Sequence, residues 1–265
     1  MTKGIIALDL DGTLLDASGK YSFATRDYLR ELTRRGYTIV LSSGRPPRSI
    51  MPIYDDIGCS GPIIAYNGSL VYHPLNQMFP RIDKTFSAAS IRRIVHRTSH
   101  FVDVYMCESA DHIYVNRVEP PLGLYFPFEG MKVIEGNLES TLNEDLYTAL
   151  FRCPSGRMEE LREACDFEEG IAWRSWNNSN YSELYFPGYD KGHAMDFIIG
   201  ALGVKKEDVY AFGDAANDIG MLERAGHAYA MKENKAPHLM ERFEKTQGSA
   251  QEEGVLRTLR MIFGD

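Results

Sequence analysis

Hydrophobic and polar positions alternate in blocks along the first part of the chain. Short apolar runs rich in β-branched residues predict strands at 5–8, 37–42 and 62–66. Between them, apolar positions at helical spacing predict a helix at 23–35, and Pro46 and Pro47 mark the start of a second helix at 46–58. This order of strand, helix, strand, helix and strand predicts a parallel sheet with right-handed crossovers.

Residues that commonly end helices and strands stand at the borders of these elements. Ser22 precedes the first helix as a candidate N-cap, and Gly36 and Gly58 follow the two helices as terminators. Asn67 and Gly68 follow the third strand and form a turn signal. The local signals therefore agree with the hydrophobic pattern.

The pattern changes between residues 83 and 187. A helix is predicted at 87–100, followed by strands at 101–107, 112–116, 146–152, 171–176 and 181–186. Some of these strands are separated by short turns such as 177–180, which favours an antiparallel sheet backed by helices. The middle of the chain is therefore predicted to be a separate α+β module.

Strand–helix alternation resumes in the last part of the chain. Helices are predicted at 192–201, 219–225 and 236–245, and strands at 208–212 and 228–231. We therefore predict an α/β fold with a doubly wound, mostly parallel sheet. Its core domain is discontinuous, formed by 1–82 and 188–265, and 83–187 is an inserted α+β domain.

Composition and charge narrow the class of protein. The chain has 265 residues, 44% hydrophobic and 25% charged, as expected of an ordinary globular protein. Its net charge of −8 argues against nucleic acid or an anionic membrane as a partner. Four scattered cysteines without neighbouring histidines make a zinc site or a disulfide framework improbable. The apolar run before Asp9 is too short for a signal peptide or membrane span, so we expect a cytoplasmic protein.

Two acidic residues directly follow the first predicted strand. Along an extended chain Asp9 and Asp11 point to the same side, and Gly12 then allows a tight turn. Two carboxylates this close repel each other unless a cation compensates them. A hard divalent ion such as Mg²⁺ is the simplest compensation, although Asp-x-Asp also occurs in turns and in Ca²⁺ loops.

Three further polar clusters follow predicted strands or begin predicted helices. They are Ser42 to Arg45, Lys191 before a helix, and Gly213 to Asp218. Each alone has an ordinary structural explanation; in isolation, Lys191 would be a solvated surface lysine. Parallel strands, however, bring their carboxyl ends to one edge of the sheet, which would gather all four clusters there.

Together these residue types suit phosphoryl transfer. That reaction needs a nucleophile, a proton donor for the leaving oxygen and positive charge around the phosphoryl oxygens. A carboxylate supplies the nucleophile, Ser43 a hydrogen bond and Lys191 a positive charge. Asp214 can complete the coordination of Mg²⁺.

The four clusters, in this order and spacing, resemble the motifs of the haloacid dehalogenase-like phosphohydrolase superfamily, specifically its Cof-type branch. Residues 9–14 match the first motif, and Gly213, Asp214, Asn217 and Asp218 match the fourth. Ser-Gly-Arg at 43–45 and Lys-Gly at 191–192 fit the second and third motifs. The insertion lies where that branch carries its α/β cap. The resemblance implies a Rossmann-like core with a cap that selects substrates.

The resemblance also implies a role for each residue. Asp9 would be the nucleophile, and Asp11 the general acid and then the base that activates water. Mg²⁺ would be bound by the Asp9 carboxylate, the backbone carbonyl of Asp11, and Asp214. Asp218 would assist the metal directly or through water.

Further residues would bind the substrate. Gly44, Arg45 and Asn217 are the candidates, and Asn217 would contact the phosphoryl group or orient Lys191. The hydroxyl of the second motif is Ser42 or Ser43, and the position before Gly44 favours Ser43.

Other parts of the chain match the family less closely. Residues 230–236 carry more charged residues than the family pattern, and we expect them to have no part in the chemical step. Five cap residues are candidates for reading the leaving group, although an ordinary surface or strand-face position is the better expectation for each of them alone: Arg152, Asn178, Asn180, Tyr181 and Glu183.

The resulting hypothesis is a Mg²⁺-dependent phosphatase acting on small phosphorylated metabolites such as sugar phosphates. Alternatives are a phosphomutase of the same superfamily, a phospho-accepting signalling module, and a non-catalytic binding protein with a relic site. Signalling receivers are about half this size and lack a second acid two residues after the nucleophile, so Asp11 argues against them. The physiological substrate stays open, as does the choice between monomer and dimer.

Overall fold

The computed structural model describes residues 2–118, 128, 130–175, 180–236 and 238–264. Of the predictions above, Asn178 and most of the 177–180 turn lie outside this part of the chain. The chain divides into two compact units, one formed by Met1–Asp83 with Tyr189–Asp265 and the other by Lys84–Gly188. No helix in the described part is both long and apolar enough to cross a membrane.

The first unit is built on an eight-stranded sheet. Its strands are β1 Gly4–Asp9, β2 Tyr37–Ser42, β3 Ile63–Ala65, β4 Leu70–Tyr72, β5 Ile82–Asp83, β12 Val209–Gly213, β13 His227–Ala230 and β14 Glu244–Lys245. The strand order is β14-β13-β12-β1-β2-β3-β4-β5. The first six strands of this order are parallel, whereas β4 and β5 add to the edge in antiparallel fashion. The fold is therefore α/β with a mostly parallel sheet, as predicted.

Five of the six described helices of this unit form two packed groups. Their bounds are α1 Phe23–Arg34, α2 Pro47–Ile57, α6 Lys191–Leu202, α7 Ile219–Arg224, α8 Leu239–Arg242 and α9 Gly254–Phe263. Helix α1 packs against α2 and α9, whereas α6 packs against α7. The predicted caps are confirmed: the Ser22 side chain accepts a hydrogen bond from the Thr25 backbone N–H, and Gly58 ends α2.

The order of the strands defines where a ligand is expected in this sheet. From β1 the chain moves to β2 and β3 on one side, and later to β12 and β13 on the other. The connections therefore diverge between β1 and β12, which makes this the switch point of the sheet. In open α/β sheets, ligands bind outside the carboxyl ends of the strands at such a point. Asp9 ends β1, and Asp214 directly follows β12.

One predicted helix of the first unit is wrong. The helix expected at 236–245 is reduced to α8, and Phe243 has an extended backbone. Glu244 and Lys245 then pair with Tyr229 and Ala230 as an added parallel strand. Pairing with a sheet edge, a tertiary interaction, overrides the local helical pattern here.

The second unit contains a six-stranded sheet in the order β10-β11-β9-β6-β7-β8. Its elements are α3 Ala88–Thr98, β6 Val104–Glu108, β7 His112–Val115, β8 Lys132–Glu135, α4 Leu138–Thr141, β9 Thr148–Arg152, α5 Met158–Asp166, β10 Ala172–Ser175 and β11 Tyr181–Tyr185. Helix α3 packs against α4 and α5. The prediction of an antiparallel sheet is wrong at one edge, because β8 pairs with β7 in parallel.

Candidate active site

The loop after β1 begins the site. The Asp9 side chain is buried, and the chain then turns through Leu10 to Leu15. Backbone hydrogen bonds hold this turn, from Leu14 N–H to Asp9 O at 3.2 Å and from Leu15 N–H to Leu10 O at 2.8 Å. The position of the Asp9 carboxylate is therefore fixed by the end of a central strand and a bonded turn.

Lys191, the first residue of α6, is fully buried beside two carboxylates. Asp190 caps the helix by accepting a hydrogen bond from the His193 N–H. The Lys191 Nζ donates to Asp9 Oδ1 and to Asp218 Oδ1, both at 2.6 Å. The surface position that Lys191 would be given in isolation is therefore wrong: the lysine is buried because it neutralises acids inside the protein.

Asp218 organises the loop that follows β12. Its Oδ2 accepts hydrogen bonds from the backbone N–H groups of Asp214 and Ala215, both at 3.0 Å. Its other oxygen accepts from Lys191. Because both of its oxygens already hold donors, Asp218 positions Asp214 and Lys191.

Asp9, Asp214 and Asp218 form a buried cluster of carboxylates. One oxygen from each lies within 4.8 Å of the others. Burial, with the nearby Asp218 charge, raises the pKa of the Asp9 carboxyl to about 7, although Lys191 opposes this shift. Burial also raises the pKa of Asp214. The one Lys191 ammonium does not balance three carboxylates, and the oxygen donors of the cluster suit a hard cation.

The Asp11 side chain is directed to a different partner. Its two carboxylate oxygens accept hydrogen bonds from Arg45, at 2.8 Å from Nε and 2.5 Å from Nη2. The Asp11 side chain is about half exposed, and its carboxylate is outside the buried cluster. The structure thus places two predicted site residues, Asp11 and Arg45, in direct contact with each other.

The Asp11 backbone carbonyl and the Asp214 carboxylate, in contrast, both contact the ammonium group of Lys235. The Lys235 Nζ lies 3.0 Å from Asp11 O and 3.0 Å from Asp214 Oδ2. One ammonium therefore contacts both oxygens at once. A Cβ at Gly12, whose φ is +93°, would come within 2.5 Å of Asp214 Oδ2, so glycine leaves this space open. The donors and the space fit Mg²⁺.

Lys235 was missed by the sequence analysis. Residues 230–236 were expected to have no part in the chemistry, yet Lys235 contacts two of the predicted metal-binding positions. The only signal in the sequence was the extra charge of this segment.

A second polar group borders the site at the end of β2 and β3. Ser43 is buried and its Oγ accepts a hydrogen bond from the Arg45 N–H at 3.1 Å. The Asn217 Nδ2 donates to Asn67 Oδ1 at 2.9 Å, and Asn67 N–H donates to Ser43 O at 3.0 Å. The Asn67 side chain also lies next to Gly44, because a Cβ added at Gly44 would stand 3.0 Å from Asn67 Nδ2. Asn67, predicted only as a turn residue, therefore links the loops that carry Ser43 and Asn217.

The turn that contains Asn67 also packs against the start of α6. Gly68 has a φ of +109°, and a Cβ there would stand 2.3 Å from Asp190 O and 3.1 Å from Lys191 N. Only glycine permits this approach.

Most candidate cap residues have partners within their own unit. Arg152 lies 3.6 Å from Asp103, and Glu183 pairs with Arg174 at 2.9 Å. Tyr181 is buried and Asn180 is exposed. None of these observations selects one of them as a substrate-binding residue.

Comparison with known proteins gives a consistent family assignment. The haloacid dehalogenase-like hydrolase family matches residues 6–259. A 5-amino-6-(5-phospho-D-ribitylamino)uracil phosphatase of Bacillus subtilis is 29% identical, over 98% of this chain and 97% of that protein. A phosphoglycolate phosphatase of Methanothermobacter thermautotrophicus is 26% identical, over 98% of each chain.

Solved structures share the fold. A haloacid dehalogenase-like hydrolase from Bacteroides thetaiotaomicron superposes with a TM-score of 0.84 at 23% identity, covering 98% of this chain and 99% of the other. A protein from Thermotoga maritima gives a TM-score of 0.83 at 24% identity, over 100% and 99% of the two chains. Since the family match spans nearly the whole sequence, this chain belongs to the haloacid dehalogenase-like hydrolases, in their Cof-type phosphatase branch.

Proposed function

We propose that this phosphatase hydrolyses small-molecule phosphate monoesters with Mg²⁺ and forms an aspartyl-phosphate on Asp9. The observation that carries the proposal is the environment of the Asp9 carboxylate. Lys191 holds its Oδ1 at 2.6 Å, and among the described residues no donor contacts Oδ2. One oxygen is therefore anchored and the other is available to attack phosphorus.

The metal would be held by Asp9, Asp214 and the backbone carbonyl of Asp11. Two observations support this assignment: the carboxylates are buried together, and the Lys235 ammonium contacts both Asp11 O and Asp214 Oδ2. When bound, Mg²⁺ would offset the repulsion between the carboxylates and the phosphate dianion and polarise the phosphoryl group. Asp218 would act on the metal only through the Asp214 loop that it holds.

In the first step, Asp9 Oδ2 attacks phosphorus and the bond to the ester oxygen breaks. The departing oxygen takes a proton from Asp11, and the phosphoryl group is now bonded to Asp9. In the second step, water attacks phosphorus while Asp11 takes a proton from it, so that inorganic phosphate leaves and the Asp9 carboxylate is restored.

Positive charge and hydrogen bonds would stabilise both transition states. Lys191 opposes the rise in the pKa of Asp9 that burial causes, and Ser43 and Asn217 would donate to the phosphoryl oxygens. Gly44 leaves room for the substrate beside Asn67. Arg45 donates one hydrogen bond to each oxygen of the Asp11 carboxylate. One of these two hydrogen bonds must therefore break before Asp11 can donate a proton.

The substrate class is a small phosphorylated metabolite. Full-length relatives that are phosphatases of a phosphorylated ribitylaminouracil and of phosphoglycolate support this. We further propose that the Lys84–Gly188 unit is the cap that selects the substrate, and that the enzyme acts in the cytoplasm, where four free, buried cysteines stay reduced.

Hydrolysis of p-nitrophenyl phosphate tests this proposal. We expect Mg²⁺-dependent release of p-nitrophenol and inorganic phosphate in equal amounts, without a bisphosphate activator, which a phosphomutase would need. Chelation should stop turnover and Mg²⁺ restore it, while Asp9→Asn should remove activity and leave the circular dichroism spectrum unchanged. Activity that survives chelation, or an active Asp9→Asn variant, would overturn the proposal.

A further inference from the structure

Lys235 brings a positive charge to the candidate metal site from a surface loop. The loop follows β13, and its course is fixed by a backbone hydrogen bond from Lys235 N–H to Asp214 O at 2.8 Å. The side chain is 65% exposed, yet its Nζ reaches Asp11 O and Asp214 Oδ2, each at 3.0 Å. The ammonium therefore reaches the site from the solvent side, at the end of a flexible and largely exposed side chain.

The two oxygens that Lys235 contacts are also two of the three proposed to bind Mg²⁺, so this inference rests on the proposed function. Mg²⁺ binds oxygen at about 2.0–2.1 Å and requires nearly octahedral geometry. An ion bonded to both Asp11 O and Asp214 Oδ2 would use the same two oxygens that the ammonium contacts. The two cations would also repel each other. Lys235 and Mg²⁺ therefore compete for these oxygens.

We propose that Lys235 is a tethered counter-ion that occupies the metal position and must be displaced when Mg²⁺ binds. It holds Asp214 and the Asp11 carbonyl in place while no metal neutralises them. It also weakens the apparent affinity for Mg²⁺, because the metal has to displace an ammonium that is always nearby.

The two lysines of the site differ in a way that fits these different tasks. Lys191 is fully buried between Asp9 and Asp218, where its removal would leave buried acids unpaired. Lys235 has a largely exposed stem with four carbons, so its ammonium can move into water at little cost. Lys191 is thus a permanent part of the site, whereas Lys235 is displaceable.

The direction in which Mg²⁺ affinity changes when Lys235 is removed shows whether the lysine competes with the metal or helps to bind it. If Lys235 helped to bind the metal, its removal would weaken Mg²⁺ binding. As a competitor, its removal strengthens binding. The ion pair is partly exposed and therefore screened, so we expect a gain in Mg²⁺ affinity of roughly threefold to tenfold.

Isothermal titration of the full-length protein with MgCl₂ measures this effect. The variants are Lys235→Met and, as a control of the same charge change on the same loop, Lys232→Met, whose side chain is exposed. We expect Lys235→Met to bind Mg²⁺ at least about threefold more tightly than the wild type and Lys232→Met to bind within about twofold. Unchanged or weaker binding by Lys235→Met would overturn the inference.

Thermal unfolding gives a second readout that does not depend on activity. In chelator, Lys235→Met should unfold at a lower temperature than the wild type, because Asp214 has lost its counter-ion. Saturating Mg²⁺ should close this gap, since tighter binding gives greater stabilisation. A variant that unfolds like the wild type in chelator would contradict the holding role of Lys235.

Asp214→Asn separates failure of this inference from failure of the proposed function. If Asp214→Asn abolishes Mg²⁺ binding but Lys235→Met leaves the affinity unchanged, the metal site stands and the competition is refuted. If Asp214→Asn binds Mg²⁺ as well as the wild type, the metal site itself is wrong, and the inference fails with it.

Discussion

Replacing Lys191 with methionine tests the charge balance of the buried site. The lysine ammonium lies 2.6 Å from Asp9 Oδ1 and 2.6 Å from Asp218 Oδ1, with no exposure to solvent. Methionine fills similar space but carries no charge. Asp9 and Asp218 would then face each other without a cation between them.

The cost can be worked out from the geometry. Carboxylate oxygens of Asp9 and Asp218 lie within 4.8 Å. Two like charges at that separation repel by about 3 kcal/mol at an effective dielectric constant of ~20. In other proteins, removing one partner of a buried ion pair costs roughly 3–5 kcal/mol, which is similar to this repulsion. We therefore expect Lys191→Met to lose about 3 kcal/mol of unfolding free energy.

The loss should depend on pH. The pKa of Asp9 is already raised to about 7 with Lys191 present, and removal of the lysine raises it further. A raised carboxyl pKa favours the folded state at low pH and loses that contribution as pH rises through the folded pKa. The deficit of Lys191→Met relative to the wild type should therefore be larger at pH 8 than at pH 6.

Urea unfolding followed by circular dichroism measures this prediction. The matched control is Lys205→Met, which removes an exposed lysine of the same unit. The double variant Lys191→Met/Asp218→Asn should recover part of the lost stability, because the remaining Asp9 no longer faces a second negative charge. Turnover of p-nitrophenyl phosphate by Lys191→Met should fall about 100-fold, a typical loss for one electrostatic donor. An unfolding midpoint equal to that of the control, or no recovery in the double variant, would refute the reasoning.

Three further predictions concern the pH dependence of metal binding, the loop after β1 and the Asn67–Asn217 pair. Mg²⁺ affinity should weaken as pH falls below about 7, because protonation of Asp9 competes with the metal; titration calorimetry giving equal affinity at pH 8 and pH 5.5 would contradict this. Gly12→Ala should lose most Mg²⁺ binding in the same assay, whereas Gly19→Ala, with a φ of +74° and no neighbour within 4 Å, should bind normally despite similar backbone strain. Asn67→Ala and Asn217→Ala should each lower kcat/KM about fivefold, the worth of one hydrogen bond, and the double variant should be little worse than either; additive losses would show that the two side chains act independently.

The positions of Asp9 and Asp214 were predictable because they depend on sheet topology. Each stands at the carboxyl end of a strand, and parallel strands bring these ends to the same edge. The place of Lys191 at the site followed less directly, since a lysine at a helix start is usually exposed. It became predictable only when the motifs were considered together.

The contacts of Lys235 and Asn67 were not predictable, because they depend on the course of loops. Neither loop carries a hydrophobic period, and the partners are distant in the sequence. Asn67 contacts Asn217 and Lys235 contacts Asp11 O, 150 and 224 positions away. Hydrophobic spacing describes only local structure, so it holds no information about such pairs.

Short edge strands were also missed for a physical reason. Strands β4 and β5 have three and two residues, too few to show an alternating pattern. Strand β8 is largely exposed at one edge of the second sheet, so its hydrophobic signal is weak. These elements are defined by pairing with a neighbouring strand.

Trapping of the phosphorylated enzyme shows whether Asp9 is the nucleophile. Asp11→Asn removes the base of the second step but leaves the first step in place for p-nitrophenyl phosphate, since p-nitrophenolate departs without a proton. After acid quenching, borohydride reduction of an aspartyl-phosphate and mass spectrometry of the peptides locate the modified residue. We expect a burst of about one p-nitrophenolate per enzyme and reduction of Asp9 to homoserine. A burst with the modification at another residue, or steady turnover with no modified aspartate, would contradict the assignment of Asp9 as the nucleophile.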